Sequence, residues 1–316
     1  MEKLNIFNGD EINQRTILGH PSGLFTLFFT EMWERFSYYG MRAILVLFLI
    51  SSLDNQGWGW DRKDALVLYA WYTGLVYITP IFGGLLADKF LGYRKAVVIG
   101  ALLMTLGHAA MALEVFYDFY LYVGLSLLII GNGFFKPNIS SIVGQMYKDE
   151  GKIKDAAYTI FYMGINSGAF LGILLCGYIG ETVNWHYGFG LAGIFMLFGM
   201  LQFHFGQKIF GDIGLSKNKT KKEINEQTES KVSLKVTTER LIVIGIFSFV
   251  TIFFWWGFEQ AGGSMTIFAN DYTDRNLLGT GALVFKIVNT LLTIVPMIIL
   301  TFILYLLFKN TFKKYA

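Results

Sequence analysis

The groups able to do chemistry in this sequence lie where charge meets an apolar segment. Within residues 21–51, Glu31, Glu34, Arg35 and Arg42 stand inside one helix-length apolar stretch, with Tyr38 and Tyr39 among them and the uncharged run 43–50 directly after. At about 100° per residue on an α-helix, Glu31, Glu34, Arg35, Tyr38 and Arg42 share one stripe. Trp33, Phe36, Ile44 and Leu47 take the other side. Such a stripe cannot face acyl chains, where each charge costs at least ~2.5–3.5 kcal/mol. It has to face a bundle interior or a water-filled cavity. A helix lying flat on a membrane would keep a polar face along its length, and the all-apolar run 43–50 has none. Carboxylates beside cations in a dry setting have the chemistry of proton exchange. Protonating a carboxylate releases its cation, and the freed cation is able to hold another anion.

Three further segments have the same character. Gly131-Asn-Gly133-Phe-Phe-Lys136-Pro137-Asn138 has the glycine spacing of a phosphate loop, but it continues a membrane helix through 125–130 and has no preceding strand. Lys136 either snorkels toward a membrane face or pairs with Glu31 and Glu34. The penalty on unpaired buried charge makes pairing across a cavity the expectation. Pro137 removes one backbone hydrogen bond beside it and is expected to bend the helix. Gly164, Gly168 and Gly172, spaced by four, make a flat ridge for close helix contact. Asn166 in the same helix is expected to hydrogen-bond something buried, either a neighbouring helix or a ligand. Glu259 ends an apolar run that begins at Leu241, with Trp255 one turn earlier on its face. It reads either as an interior acid or as an outer-interface acid beside an aromatic belt of Trp255 and Trp256.

These segments need membrane helices to position them, and the composition supplies them. The chain is 54% hydrophobic and only 16% charged, against about 25% charged for soluble domains, which excludes an ordinary soluble enzyme. A net charge of +3 with lysines confined to loops does not suit nucleic-acid binding. The single Cys176 excludes an intramolecular disulfide framework and a cysteine metal site. Apolar spans are expected at 65–87, 96–113, 119–146, 156–180, 187–207, 241–270 and 283–308, which with the first helix make eight crossings. Residues 1–20 are polar with no signal-peptide core, so the first helix serves as its own insertion signal. Lys and Arg gather after the second, fourth and sixth spans and are missing from 114–118 and 181–186. The exceptions, Arg62 and Lys63, are offset by Asp54, Asp61 and Asp64. The positive-inside rule then places both termini in the cytoplasm. Residues 211–238, rich in Lys, Glu, Ser and Thr, read as a flexible linker between bundles.

The segment Gly84-Leu-Leu-Ala-Asp88-Lys89-Phe-Leu-Gly92-Tyr93-Arg94-Lys95 closes the second span. Gly92 allows a tight turn, Asp88 is placed to cap the third helix, and the cations suit the cytoplasmic headgroup region. It resembles the loop motif of the major facilitator superfamily, with one residue extra before Gly92. Glu31-x-x-Glu34-Arg35-Phe-Ser-Tyr38-Tyr39-Gly-Met-Arg42, Gly133-Phe-Phe-Lys136-Pro137-Asn138-Ile-Ser, Phe161-Tyr162-Met-Gly-Ile-Asn166-Ser-Gly and Phe258-Glu259-Gln260 together resemble the proton-dependent oligopeptide transporter family, in family order.

The resemblance implies an all-α multi-pass membrane protein of major facilitator type. Residues 1–22 would be a cytoplasmic N-terminus, 23–208 an N-terminal six-helix bundle, 209–240 a cytoplasmic linker and 241–316 the start of an incomplete C-terminal bundle. It implies proton-coupled symport of di- and tripeptides across the cell membrane, with peptides, protons and the lipid bilayer as partners. The proton gradient drives it, with no cofactor, metal or catalysis. Matched residue by residue, Arg35, Tyr38, Arg42, Tyr77 and Lys136 would engage the peptide's carboxylate end and backbone. Asn166 and Glu259 would engage its amino end, while Glu31 and Glu34, with Arg35 and Lys136, would carry proton coupling. Transport of nitrate or another small anion is one alternative, though Glu259 would be useless to it. A non-transporting receptor or scaffold is another, and it leaves charges recurring on several helices unexplained. The sequences characteristic of the family's later helices are missing, so the chain is expected to be a fragment that does not transport alone.

Overall fold

In the computed structural model, the structure describes residues 16–147, 151–215, 234–274 and 276–315. The described helices are α1 (Ser22–Ile50), α2 (Arg62–Leu86), α3 (Tyr93–Ala112), α4 (Phe119–Gln145), α5 (Lys152–Thr182), α6 (Trp185–Gly206), α7 (Leu234–Glu259), α8 (Ser264–Tyr272) and α9 (Gly279–Tyr315). A two-residue antiparallel pairing, β1 (Thr16–Ile17) with β2 (His20–Pro21), leads into α1. Among the described residues, seven helices are long and apolar enough to cross a membrane. With 29 residues α1 is also long enough, but it carries the four charges. The chain is an all-α multi-pass membrane protein.

The first helix is central. Twenty-two of its 29 residues are buried; the charged side cannot face lipid, and the other side packs against neighbouring helices. It packs along α5 and α6, while α4 lies against α2 and α3, and α3 meets α6. Within a membrane no hydrophobic effect drives helices together, so close van der Waals contact has to do so. The glycine ridge provides it. Side chains built at Gly164, Gly168 and Gly172 would come within 2.9, 2.1 and 2.2 Å of the carbonyl oxygens of Phe28, Met32 and Phe36. The same spacing of four thus runs along both helices. It continues where a side chain at Gly40 would meet the Cys176 sulfur at 2.6 Å, which gives the single cysteine a packing role.

Helix α4 is locked in a comparable way. Pro137 cannot donate to the carbonyl four residues before it, Gly133. That carbonyl abuts Gly83 of α2, where a side chain would lie only 2.0 Å away. The helix runs continuously through Pro137.

The extra residue of the loop motif has a structural counterpart: Ala87–Leu91 forms a π-helical turn, the form that absorbs one added residue in a helix. Gly92 follows with φ +76°. Asp88 does not cap α3, whose N-cap Gly92 makes no side-chain cap bond. Lys89 and Lys95 are exposed, whereas Arg94 is buried. Its guanidinium donates to the carbonyls of Ile213 (2.5 Å) and Gly211, tying the chain after α6 across the ends of α3 and α4.

The expected span 241–270 is two helices. The sequence Gly262-Gly263 interrupts it, with Gly263 at φ −118°, ψ −105° between a 3₁₀ turn and α8. Of the expected N-terminus and linker, residues 1–15 and 216–233 lie outside the described residues, as does Lys148 of the loop after α4. At the opposite end of the bundle Glu114 is buried, accepting from Trp58 Nε1 at 2.9 Å and pairing with His186 Nδ1 at 2.5 Å. The sequence reading registered these two residues only as belonging to loops without Lys or Arg.

Candidate functional site

The charged stripe of α1 faces α4, α2 and the end of α7 in two adjoining clusters. In the first, Glu31 and Glu34 are fully buried and Arg35 nearly so. Arg35 binds both oxygens of Glu34, and its Nε lies 3.5 Å from Glu31 Oε1. Lys136, one-third exposed, reaches across from α4 to the same Glu31 oxygen. Glu31 Oε2 is buried with no hydrogen-bond partner among the described residues. Lys136 therefore pairs with α1 as expected and does not snorkel. Asn132, one turn before it, donates to Glu34 Oε1 at 3.3 Å.

In the second cluster Arg42 pairs with Glu259 at the end of α7 and donates through Nε to the Tyr69 hydroxyl at 2.6 Å. Tyr77 donates to the other Glu259 oxygen at 3.1 Å. Glu259 is thus an interior acid, with its side chain only 21% exposed, and the reading as an outer-interface acid fails. Its position explains the pairing: α7 stops at Glu259, and the turn that follows brings Gly262 against Tyr69, too close for any side chain. Trp255 lies 6.4 Å from the Tyr77 ring. Between α2 and α7 runs a groove of about 1510 Å³, lined by Tyr69, Thr73, Tyr77, Trp255 and Glu259.

Tyr38 joins the clusters. The Arg35 guanidinium lies 4.9 Å from its ring centroid and that of Arg42 5.8 Å, close enough for attraction to an aromatic face. At the N-terminal end of α2, Arg62 pairs with Asp271 of α8 at 2.6 Å.

Asn166 departs from expectation. It is exposed, and its amide donates to the Tyr162 carbonyl one turn back at 3.1 Å instead of to a buried partner. Sequence reasoning passed over Tyr69 and Asn132. Both carried a spacing signal: Asn132 is four residues from Lys136, and Tyr69 is eight from Tyr77, so each shares a helix face with a residue already singled out. Among the described residues no group of three or more His, Cys, Asp or Glu is placed to hold a metal ion.

Comparison with known proteins agrees with this geometry. A model of the POT family matches residues 94–228. The chain is 40% identical over 233 residues to the uncharacterized transporter YclF of Bacillus subtilis, covering 74% of this chain and 47% of that protein. It is 39% identical over 245 residues to the di-/tripeptide transporter of Lactococcus lactis subsp. lactis, covering 76% and 48%. A crystal structure of a variant of peptide transporter POT in complex with alafosfalin superposes with a TM-score of 0.63 at 40% identity, over 77% of this chain and 48% of that one. The chain spans about half the length of the curated relatives it matches. From its motifs, its helix packing and these likenesses, this all-α multi-pass membrane chain carries a POT family match over residues 94–228 and is similar to about half the length of transporters of that kind.

Proposed function

We propose that these helices form the peptide- and proton-handling wall of a di- and tripeptide–proton symporter. One observation carries the reading: the two clusters hold three acids (Glu31, Glu34, Glu259) and three bases (Arg35, Arg42, Lys136), every one of them in an ion pair. A balanced set has no free cation for a ligand. One proton on one carboxylate releases one cation, and the released cation then takes the carboxylate of a peptide. Proton and peptide binding are thereby linked by charge balance in a poorly screened site. The unpartnered Oε2 of Glu31 is positioned to receive the proton. Lys136 would then be free for the peptide's carboxylate end, toward which Arg35 would turn from Glu34, with Tyr38, Arg42 and Tyr77 beside them. Glu259 would exchange Arg42 for the peptide's ammonium group, a role with no counterpart in nitrate transport. Asn166 keeps its part at the amino end on the strength of its motif alone.

No cofactor enters this scheme; the proton gradient supplies the driving force. The Lys and Arg of one bundle end (Lys89, Lys95, Lys152, Lys154, Lys208) against the acids of the other (Glu114, Asp118, Glu181) support a cytoplasmic N-terminus.

The test is calorimetry of dipeptide binding to the purified chain in two buffers of different ionisation enthalpy, which counts protons taken up per peptide bound. Net proton uptake is expected, and Glu31→Gln should abolish it. Binding with no proton uptake at any pH would overturn the linkage.

A further inference from the structure

Asn132 has no role in the scheme above, yet both of its chain neighbours are closely packed. Residues 131, 132 and 133 point about 100° apart around the helix. A side chain at Gly131 would meet Met104 at 2.6 Å and the Gly100 carbonyl at 2.8 Å, both on α3. One at Gly133 would meet Thr79 of α2 at 2.8 Å. With both flanks seated backbone to backbone, Asn132 is left facing α1. There it is 4% exposed and donates to Glu34 Oε1 at 3.3 Å. Lys136, one turn along, does the same for Glu31. Two rungs therefore join α4 to α1, one ended by a cation and the other by a neutral amide.

We propose that Asn132 is a positioning residue for Glu34, retaining this carboxyl while Arg35 leaves it for an incoming carboxylate. The proposal rests on the reading of the Glu31–Glu34–Arg35–Lys136 network as the proton-coupling centre. Arginine and lysine only donate hydrogen bonds, so they hold a carboxylate and not a carboxylic acid. An amide has both a donor and an acceptor. Asn132 offers Nδ2 to the ionised group and, after a half-turn of its amide, Oδ1 to the protonated one. Among the described residues, Arg35 and Asn132 are the side chains that hydrogen-bond the Glu34 carboxylate. When Arg35 departs, Asn132 is the donor that remains. A fully buried carboxyl with no partner would be strongly disfavoured in either state, and Arg35 would then be held where it is.

The isosteric pair Asn132→Thr and Asn132→Val tests this. The threonine hydroxyl donates or accepts, and valine does neither. In the two-buffer calorimetry, Asn132→Val is expected to bind a dipeptide about fivefold more weakly than the parent, the scale of one lost hydrogen bond, because Arg35 then stays on Glu34. Asn132→Thr should restore the affinity. Unchanged affinity in Asn132→Val overturns the proposal, and so does equal weakening in both variants. Should the valine variant not fold, Asn132→Ala removes the amide without adding bulk and takes the same measurements. If the parent chain binds no dipeptide, the proposed function falls, and Asn132 is then read independently. The infrared carboxyl bands of Glu34, identified by difference against Glu34→Gln, should shift in Asn132→Val and not in Asn132→Thr. Bands unmoved in the valine variant would overturn the positioning role.

Discussion

Replacing Lys136 with methionine isolates the rung between α4 and α1. Glu31 has no solvent exposure. One of its oxygens meets Lys136 and, at 3.5 Å, an Arg35 already committed to Glu34; the other has no partner among the described residues. Removing one member of a buried ion pair typically costs ~3–5 kcal/mol, because the remaining charge is stranded. The Lys136 side chain is 31% exposed, so solvent already screens part of the attraction. A discounted cost of about 2–3 kcal/mol follows, or roughly 30- to 150-fold in the folded-to-unfolded ratio. Methionine keeps the length and apolar volume, so the loss is electrostatic rather than a cavity effect. Unfolding in detergent micelles, followed for Lys136→Met, Glu31→Gln and the double variant, closes a mutant cycle. Glu31→Gln should relieve most of the lysine deficit, with a coupling of at least about 1.5 kcal/mol. Single effects that add to within ~0.5 kcal/mol would mean that Lys136 points to solvent and that the pairing is incidental.

Three further outcomes can be measured. Glu259→Gln should weaken binding of a dipeptide more than that of an analogue lacking the α-amino group, by several-fold in Kd, since the ammonium loses its carboxylate; equal weakening would leave Glu259 with Arg42 alone to hold. Gly168→Ala should abolish a stably folded product in a fluorescence-detected melt, because a side chain 2.1 Å from the Met32 carbonyl meets backbone that cannot yield, whereas Gly177→Ala, with nothing within 4 Å, should melt like the parent. His20, outside the spans, shares a 2.9 Å hydrogen bond with Tyr147, and burial lowers its pKa below the usual histidine value. Its neutral form is the one that folding favours, so its contribution is full above about pH 6.5 and declines as pH falls from there toward the folded-state pKa. The melting temperature should follow that trend in the parent and flatten in His20→Gln.

What the sequence revealed and what it hid divide along a physical line. Charges inside an apolar helix are costly wherever the neighbours are, so the α1 stripe, Lys136 and the glycine ridge were legible from composition and period alone. Partners on other helices were not. Nothing within α1 names Asn132 or Tyr69, because the helices that bring them are ordered by contacts far apart in the chain. The interruption of α7 after Glu259 was masked in another way. Apolar residues resume at Met265, Ile267 and Phe268 beyond Gly262 and Gly263, so the stretch 241–270 reads as one span, and hydropathy does not register a change of backbone direction. Asn166 shows the reverse failure: a polar residue deep in an apolar helix suggested a buried partner, and its own helix's carbonyl at Tyr162 sufficed.

The contact between α1 and α5 repeats every four residues on both sides, Phe28, Met32 and Phe36 against Gly164, Gly168 and Gly172. A repeating surface is nearly indifferent to a slip by one whole period, about 6 Å along the axis. Packing therefore fixes the axial register of the two helices only up to that step. What distinguishes the native register is aperiodic: against Gly40 the four-residue series of α5 carries the Cys176 sulfur in place of a glycine. That one side chain thus acts as the index mark of a vernier, selecting one alignment among several that close packing alone would accept, while the pairs Lys136–Glu31 and Asn132–Glu34 do the same between α1 and α4.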